Sequence, residues 1–570
     1  MLDLEQIIKN HYPEFFEKYP EFVTKIFIFF IKKIFYEKKL NEFLKNNENL
    51  DAQNFVNSVL EYIDFTYSCN FKHNIPKSGK VIFVANHPLG SLDALCIISL
   101  IFSVRKDFKI LANELLYEIK PLREILFPVD NLTQKRTSNT AKKVINALNN
   151  EEAIIIFPAG EVSRLKGLTP KDNMWKSGFL HFAKITSSPI VPILVDARNS
   201  SLFYMLSIIN KPLSSLLLVR EMLIKKGKSL SIKIGEPIPF KSIASEKINI
   251  KNSAKLVKKH LYRIDTNKPQ IFKTQQNIIN EQSYLDIKHE LENGLILGKT
   301  GDDKTIYLCS LEENNALYKE IGRLREITFR KVGEGTGKSY DTDEYDLYYK
   351  HIILWDEKEN LIVGAYRIGQ SEHIKDIKKS YYCETLFKFS DNAKFLFKDT
   401  IELGRSFVRP KYWGTYALDY LWFGIGAYIS RYKNVKYMFG PVSISNSYSK
   451  DAKDMLVYFY NKYFGVNENL VRSNHRYVLS KNELKRLDTI FSASDYKENF
   501  KILKQSLATL GFSVPTLYKQ YGELCDDGGV KFLDFGVDPN FSNSLDGFLV
   551  VDISKIKEAK RQKYIDNFLK

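Results

Sequence analysis

The stretch VIFVANHPLGSLDAL, Val81 to Leu95, decides how the first half of this chain folds. Val81–Ala85 is an unbroken apolar run, the pattern of a strand buried on both faces. It empties into Asn86, His87 and, past Gly90, Asp93. A second such run, Ala153–Phe157, empties into FPAGEVSR, Phe157 to Arg164. Polar loops that follow buried strands gather at the carboxyl ends of a sheet, where α/β proteins place their sites. A histidine with an aspartate close by supplies a general base and the group that fixes its tautomer.

Further strand-like runs, FKILAN, PIVPILVD and LSIKIGEPI, alternate with helix-length segments as far as about Ile264, an α/β arrangement. Residues 1–70 read as helical, with no glycine before Gly79. Within them Phe22–Leu44 sets aromatics against lysines at helical spacing, which suits either a helix lying in a membrane interface, lysines toward anionic headgroups, or a helix packed on the domain with a lysine-bearing outer face. Its longest apolar run, Ile26–Ile31, is too short to cross a bilayer. The opening MLDLEQIIKNHYPEF lacks the pattern of a signal peptide. The polar segment 266–282 reads as a linker. The expected organisation is therefore a helical, interfacial segment at 1–70, one catalytic domain at 71–265, the linker, and a second domain at 283–570.

A chain of 570 residues exceeds what one hydrophobic core supports. Lys and Arg number 84 against 67 Asp and Glu, a net charge of +17 that draws anionic partners. No nucleic-acid module is legible, which leaves an anionic membrane surface and an acidic carrier protein. The 5 cysteines are scattered without a CxxC, so a reducing compartment is expected and no metal site. No tightly bound cofactor is expected either.

With NHPLGSLD and FPAGEVSR in place, the chain resembles the glycerolipid acyltransferase superfamily, whose signatures are NHx4D and FPEGT(R/S), over about residues 70 to 240. The resemblance implies that His87 takes a proton from an attacking hydroxyl while Asp93 orients the ring, although the spacing here is His-x5-Asp. It implies too that Gly160, Glu161, Ser163 and Arg164 meet the acceptor's head group. Ala159 replaces the superfamily's glutamate and Glu161 follows the glycine; a carboxylate beside an arginine suits an acceptor with ammonium and carboxylate groups better than a bare phosphate. Val191 and Pro192 match the structural fourth block; the second block is not legible, and Lys135 and Arg136, which could serve it, read better as solvated surface charges.

The second half carries a different set: Arg325 and Phe329 in RLREITFR, Asp343 and Asp346 in DTDEYD, Arg367 in VGAYRIG, Glu402 and Arg405 in ELGRSFV. The Gly-rich GEGTGKS, 333–339, lacks P-loop spacing. The order of these blocks resembles the acyl-homoserine-lactone synthases of the GNAT fold group. RPKYWGTYALDYLWFGIGAYI and FGPVSISNSYS are similar to the bacterial N-acyltransferases that make lyso-ornithine and lyso-glycine lipids, and the match spans about residues 295 to 480. The resemblance implies that Glu402 accepts the amine's proton and that Arg405 pairs with it or holds the acceptor's carboxylate. Arg325, Phe329, Asp343, Asp346 and Arg367 would bind substrate; Asp341, Asp343, Glu344 and Asp346 together lean toward a cationic amino acid. The pantetheine turn would be RPKYWGTYA, with Gly414 its only glycine, and Arg409 and Lys411 would meet an acidic carrier.

The expected fold is thus α/β in two domains, a glycerolipid-acyltransferase type followed by a GNAT-like one with a mixed sheet. The expected function is an acyltransferase in two steps. The second domain N-acylates ornithine, lysine or glycine with a 3-hydroxyacyl chain from acyl carrier protein, or from coenzyme A. The first domain then O-acylates that hydroxyl on the lyso-aminolipid. The expected place is peripheral, on the cytoplasmic face of a bacterial inner membrane. Two alternatives stand beside it: a phospholipid-making O-acyltransferase whose GNAT-like half only binds carrier, and a non-enzymatic, haemolysin-like membrane binder.

Overall fold

The computed structural model describes residues 5, 9, 16–17, 19–34, 37–129, 137–166, 169–209, 218–244, 249–466 and 469–566. The chain divides into two units, Met1–Asn277 and Ile278–Lys570.

The first unit is built on β1 (Thr66–Asn70), β2 (Val81–Ala85), β3 (Phe108–Asn113), β4 (Leu126–Val129), β5 (Ala153–Ile156), β8 (Ile190–Asp196) and β9 (Ser229–Ile234), with a small hairpin of β6 (Arg164–Lys166) and β7 (Thr169–Lys171). Its main sheet runs in the order β1-β9-β8-β2-β5-β3-β4, and only the β8–β9 pair is antiparallel. Strand β2 is buried throughout because helices cover both faces. Val81, Phe83 and Ala85 pack toward Phe55 and Cys96, while Ile82 and Val84 pack toward Leu148, Phe179 and Val257. Residues 66–70, expected to be helical, instead form the edge strand β1 beside β9, because the alternating pattern of TYSCN suits a half-covered edge.

Helix Glu21–Ile34 turns Phe22, Ile26 and Phe29 outward, with Phe22 65% and Phe29 64% exposed, while Thr24 and Ile28 are buried. None of the described helices is long and apolar enough to cross a membrane.

The second unit holds β10 (Leu295–Lys299), β11 (Lys304–Ser310), β12 (Lys350–Asp356), β13 (Leu361–Gln370), β15 (Thr400–Val408), β16 (Tyr437–Ile444), β18 (Val530–Asp538) and β19 (Ser544–Asp552); the short β14 (Phe387–Phe389) and β17 (Val471–Ser473) pair apart. The eight strands run β10-β11-β12-β13-β15-β16-β19-β18, antiparallel except for β15 with β16. One face packs Leu354, Tyr366 and Leu403 on helices Ala417–Arg431 and Lys450–Phe464. The other packs Ile353, Trp355 and Phe407 on helix Ala316–Val332. The hairpin β18–β19 was not anticipated, since its apolar runs are broken by Asp534, Asp538 and Asp546.

Candidate active sites

In the first unit, β2 delivers His87 to a loop at its carboxyl end, and the helix that follows returns Asp93 beneath it. Gly90, at φ +91, makes the turn that the extra residue of the spacing requires. Asp93 accepts the N–H of Leu89 at 2.8 Å and of Gly90 at 3.3 Å, so it also closes the first turn of helix Ser91–Phe102. Its other oxygen lies 3.0 Å from Nδ1 of His87, a close ionic approach without the alignment of a full hydrogen bond. The ring lies tilted against Phe157, centroids 4.1 Å apart, and is 19% exposed. Burial opposes its protonation, yet Asp93 and, further out, Asp172 outweigh that and raise its pKa above the ordinary histidine value. Asn86 bridges to β8 instead, accepting from Val195 N at 2.7 Å and donating to Val195 O at 2.9 Å.

The FPAGEVSR loop is tied to the histidine loop by Ser163, whose N–H donates to the His87 carbonyl at 2.7 Å. The Ser163 hydroxyl donates to Asp172 at 2.5 Å, and this serine is buried, so it braces the loop rather than facing an acceptor. Asp172 further accepts Trp175 Nε1 at 2.8 Å and the His87 N–H at 3.2 Å. No motif pointed to it: an isolated aspartate so far from His87 in sequence carries no local signal. Glu161 accepts from Asn173, Gly160 sits at φ +68 near the Lys176 amine, and Arg164 lies over the Phe203 ring at 5.2 Å. Lys135 and Arg136 lie outside the described residues.

In the second unit three guanidiniums and three carboxylates interlock on one face of the sheet. Arg325 holds Asp346 at 2.8 Å, and Arg367 holds Asp343 at 2.5 Å and Asp346 at 3.2 Å. Burial works against the Asp346 charge, but the two arginines prevail and hold its pKa far below the carboxylate range. Arg405 approaches Asp341 at 3.5 Å and Asp343 at 3.8 Å and donates to the Tyr382 hydroxyl at 3.2 Å. Its guanidinium lies between Tyr382, at 5.0 Å, and Phe541, at 4.9 Å. Phe329 meets Phe541 edge-on at 5.0 Å, so it supports Arg405 from behind. Arg405 sits in a β-bulge at φ 48, where β13 and β15 slip register between Ala365 and Arg367. Its Nε, like Nε and Nη2 of Arg367, has no hydrogen-bond partner among the described residues.

Arg405 and Glu402 do not form the ion pair that their spacing allowed. Glu402 accepts the Tyr349 hydroxyl, the Tyr382 N–H at 3.1 Å and the Cys383 N–H at 2.8 Å. Burial raises its pKa, and both its oxygens are committed to fastening the 381–385 turn. Asp343 and Asp346, expected to bind substrate, are spent on arginines; Glu344 is exposed.

Strands β15 and β16 pair only from Thr400 to Glu402 against Tyr437 to Phe439 and then part. Beyond Phe439 the ladder stops, although Leu403 and Gly440 remain in close contact, and the Arg405 bulge follows. After β15, the turn through Gly414 (φ +78) leads to helix Ala417–Arg431. Lys411 pairs with Glu359 at 2.6 Å and Arg409 with Glu281 at 3.2 Å at the rim of this turn.

A family profile described as "Acyltransferase" matches residues 7–268, and one described as "Acetyltransferase (GNAT) domain" matches residues 324–423. A glycine N(alpha)-acyltransferase of Phocaeicola vulgatus is 33% identical over 282 residues, 46% of this chain and 85% of that protein. A lyso-glycine lipid O-acyltransferase of the same organism is 31% identical over 257 residues, 43% of this chain and 89% of that protein. An L-ornithine N(alpha)-acyltransferase of Rhodobacter capsulatus is 29% identical over 132 residues, 21% of this chain and 50% of that protein.

Proposed function

Since the chain belongs to the acyltransferase family of the glycine N(alpha)-acyltransferases and lyso-glycine lipid O-acyltransferases, we propose that it makes a two-chain aminolipid in two acyl transfers. The observation that carries this reading is that one chain matches both kinds of relative, each over most of the relative's length. The second unit would join a 3-hydroxyacyl chain to the amine of an amino acid. The first would then acylate the 3-hydroxyl.

In the O-acyl step His87 takes the hydroxyl proton as oxygen attacks a thioester carbonyl, and Asp93 stabilises the imidazolium that forms. Gly160, Glu161 and Arg164 border the same loop and would receive the head group, whose free carboxylate suits Arg164. In the N-acyl step Arg405, with Nε unfilled, would hold the amino acid's carboxylate. Glycine is the favoured amino acid. Asp341, Asp343 and Asp346 already face arginines, which leaves them without charge to spare for a distal ammonium. The parted strands β15 and β16 and the turn before helix Ala417–Arg431 would take the donor's pantetheine arm, from acyl carrier protein or coenzyme A. The exposed Phe22, Ile26 and Phe29, with lysines on the same helix, would seat the protein peripherally on an anionic membrane, on the cytoplasmic side where acyl thioesters are found. On one chain, the lyso-lipid leaves one site at high local concentration near the other.

The test is lipid extraction and mass spectrometry from a host without aminolipids. Wild type is expected to yield a two-chain glycine lipid, His87→Ala its one-chain precursor, and Arg405→Ala neither. Altered phosphatidic acid species without any aminolipid would overturn the reading.

A further inference from the structure

The gap between β15 and β16 has two banks. On one stands the Arg405 bulge; on the other β16 runs on to Ile444, paired with β19 so that Ser443 lies opposite Asp546. Glu402 pairs with Phe439, and the alternation Phe439, Pro441, Ser443 keeps Ser443 and Asp546 on the face that carries Glu402. Asp546 is a buried carboxyl that the mechanism above leaves unused. The groups around it come from every neighbouring element: the Ser544 hydroxyl at 3.3 Å on its own strand, Ser443 of β16, Asp538 of β18 and Arg405 of β15. Tyr382 of the 381–385 turn and Tyr518 of helix Thr516–Gly522 lie within electrostatic reach. Among the described residues Asp546, unlike Glu402, receives no backbone N–H, only hydroxyls that can turn away.

We propose that Asp546 is the group that takes the proton from the attacking amine in N-acyl transfer, an inference that rests on the N-acyltransferase reading of this unit. The amine nitrogen, its carboxylate held by Arg405, attacks the thioester carbonyl carbon across the gap. The C–N bond forms, the proton passes from nitrogen to the Asp546 carboxylate, and the C–S bond breaks. The carboxylic acid returns that proton to the departing sulfur, so amide and thiol leave and Asp546 is restored. Burial is the main cause that lifts the Asp546 pKa, and the like charge of Asp538 adds to it; Ser443, Ser544 and Arg405 pull it back, to about 7. A base poised there is available at neutral pH and still basic enough to accept the proton.

The experiment uses the full chain with glycine and a 3-hydroxyacyl pantetheine thioester, over a pH series. O-acylation of supplied N-(3-hydroxyacyl)glycine reports on the other unit. Asp546→Asn is expected to lower kcat for N-acylation by about 100-fold or more, with KM for glycine within about 3-fold and O-acylation retained. The limb of the wild-type profile near pH 7 should vanish with it. Asp538→Asn should move that limb to lower pH, because it removes a charge that raises the Asp546 pKa. N-acylation by Asp546→Asn within about 3-fold of wild type overturns the proposal. So does a limb that Asp538→Asn leaves in place, which decides the matter even where Asp546→Asn fails to fold. If wild type itself forms no N-acyl amino acid, the N-acyltransferase reading falls and takes the proposal with it, a pattern distinct from a loss confined to Asp546→Asn.

Discussion

At the residue scale, the His87–Asp93 contact has a signed consequence. The carboxylate raises the pKa of a ring that burial alone would depress, so the base form of His87 is reached only above the ordinary histidine value. O-acylation should therefore rise with pH through a limb placed above about 6.5. Asp93→Asn removes the raising charge and leaves burial, so that limb should move to lower pH while the plateau rate falls by about 100-fold or more, as kcat measured on supplied lyso-lipid would report. Arg405→Lys keeps a charge but loses the fork and the contact with Tyr382 and Phe541; KM for glycine should rise about 10-fold or more, with a smaller fall in kcat. His87 and Asp93 were legible because strand, turn and first helical turn hold them within a few residues of each other. Asp172 and Asp546 were not. Asp172 comes from a loop 85 residues beyond His87 and Asp546 from a strand paired with β16, and neither has a neighbour in sequence that announces it. Glu402 stood out as a carboxylate in a strand, but the Tyr382 and Cys383 N–H groups that occupy it belong to a turn with no signature of its own.

At the element scale, buried parallel strands were plain because helices on both faces demand continuous apolar runs, as in β2 and β5. The β18–β19 hairpin was hidden by its acids: Asp534, Asp538 and Asp546 interrupt the apolar pattern of both strands. Helix Ala417–Arg431 also shows how close two elements can be set. A Cβ on Gly426 would stand 1.8 Å from the Tyr564 carbonyl oxygen of helix Glu558–Tyr564. Backbone cannot rotate aside as a side chain does, so Gly426→Ala should destabilise the second unit by about 1–3 kcal/mol. Thermal unfolding should show a lower Tm for that unit, with His87-dependent O-acylation unchanged at low temperature.

At the scale of the whole molecule, the proposed membrane attachment would draw on two separable contributions, a net charge of +17 and the exposed Phe22, Ile26 and Phe29. Co-sedimentation with anionic vesicles should weaken as salt rises from about 0.05 to about 0.5 M. The double change Phe22→Ser and Phe29→Ser should weaken what remains at high salt, whereas binding indifferent to both would place the contact elsewhere. The three-pair junction between β15 and β16 carries a further consequence. It divides the sheet into two ribbons, β10 to β15 and β16 to β18, that are each well laddered and only tacked together. Such a joint is the weakest rung under load, and amides beside it should exchange hydrogen faster than those of β12 or β13. The proposed pantetheine arm, laid between the two strands, would supply the missing rungs. The donor thioester would then act as a splint as well as a reactant, slowing exchange along both edges and raising the unfolding temperature in proportion to the logarithm of its concentration.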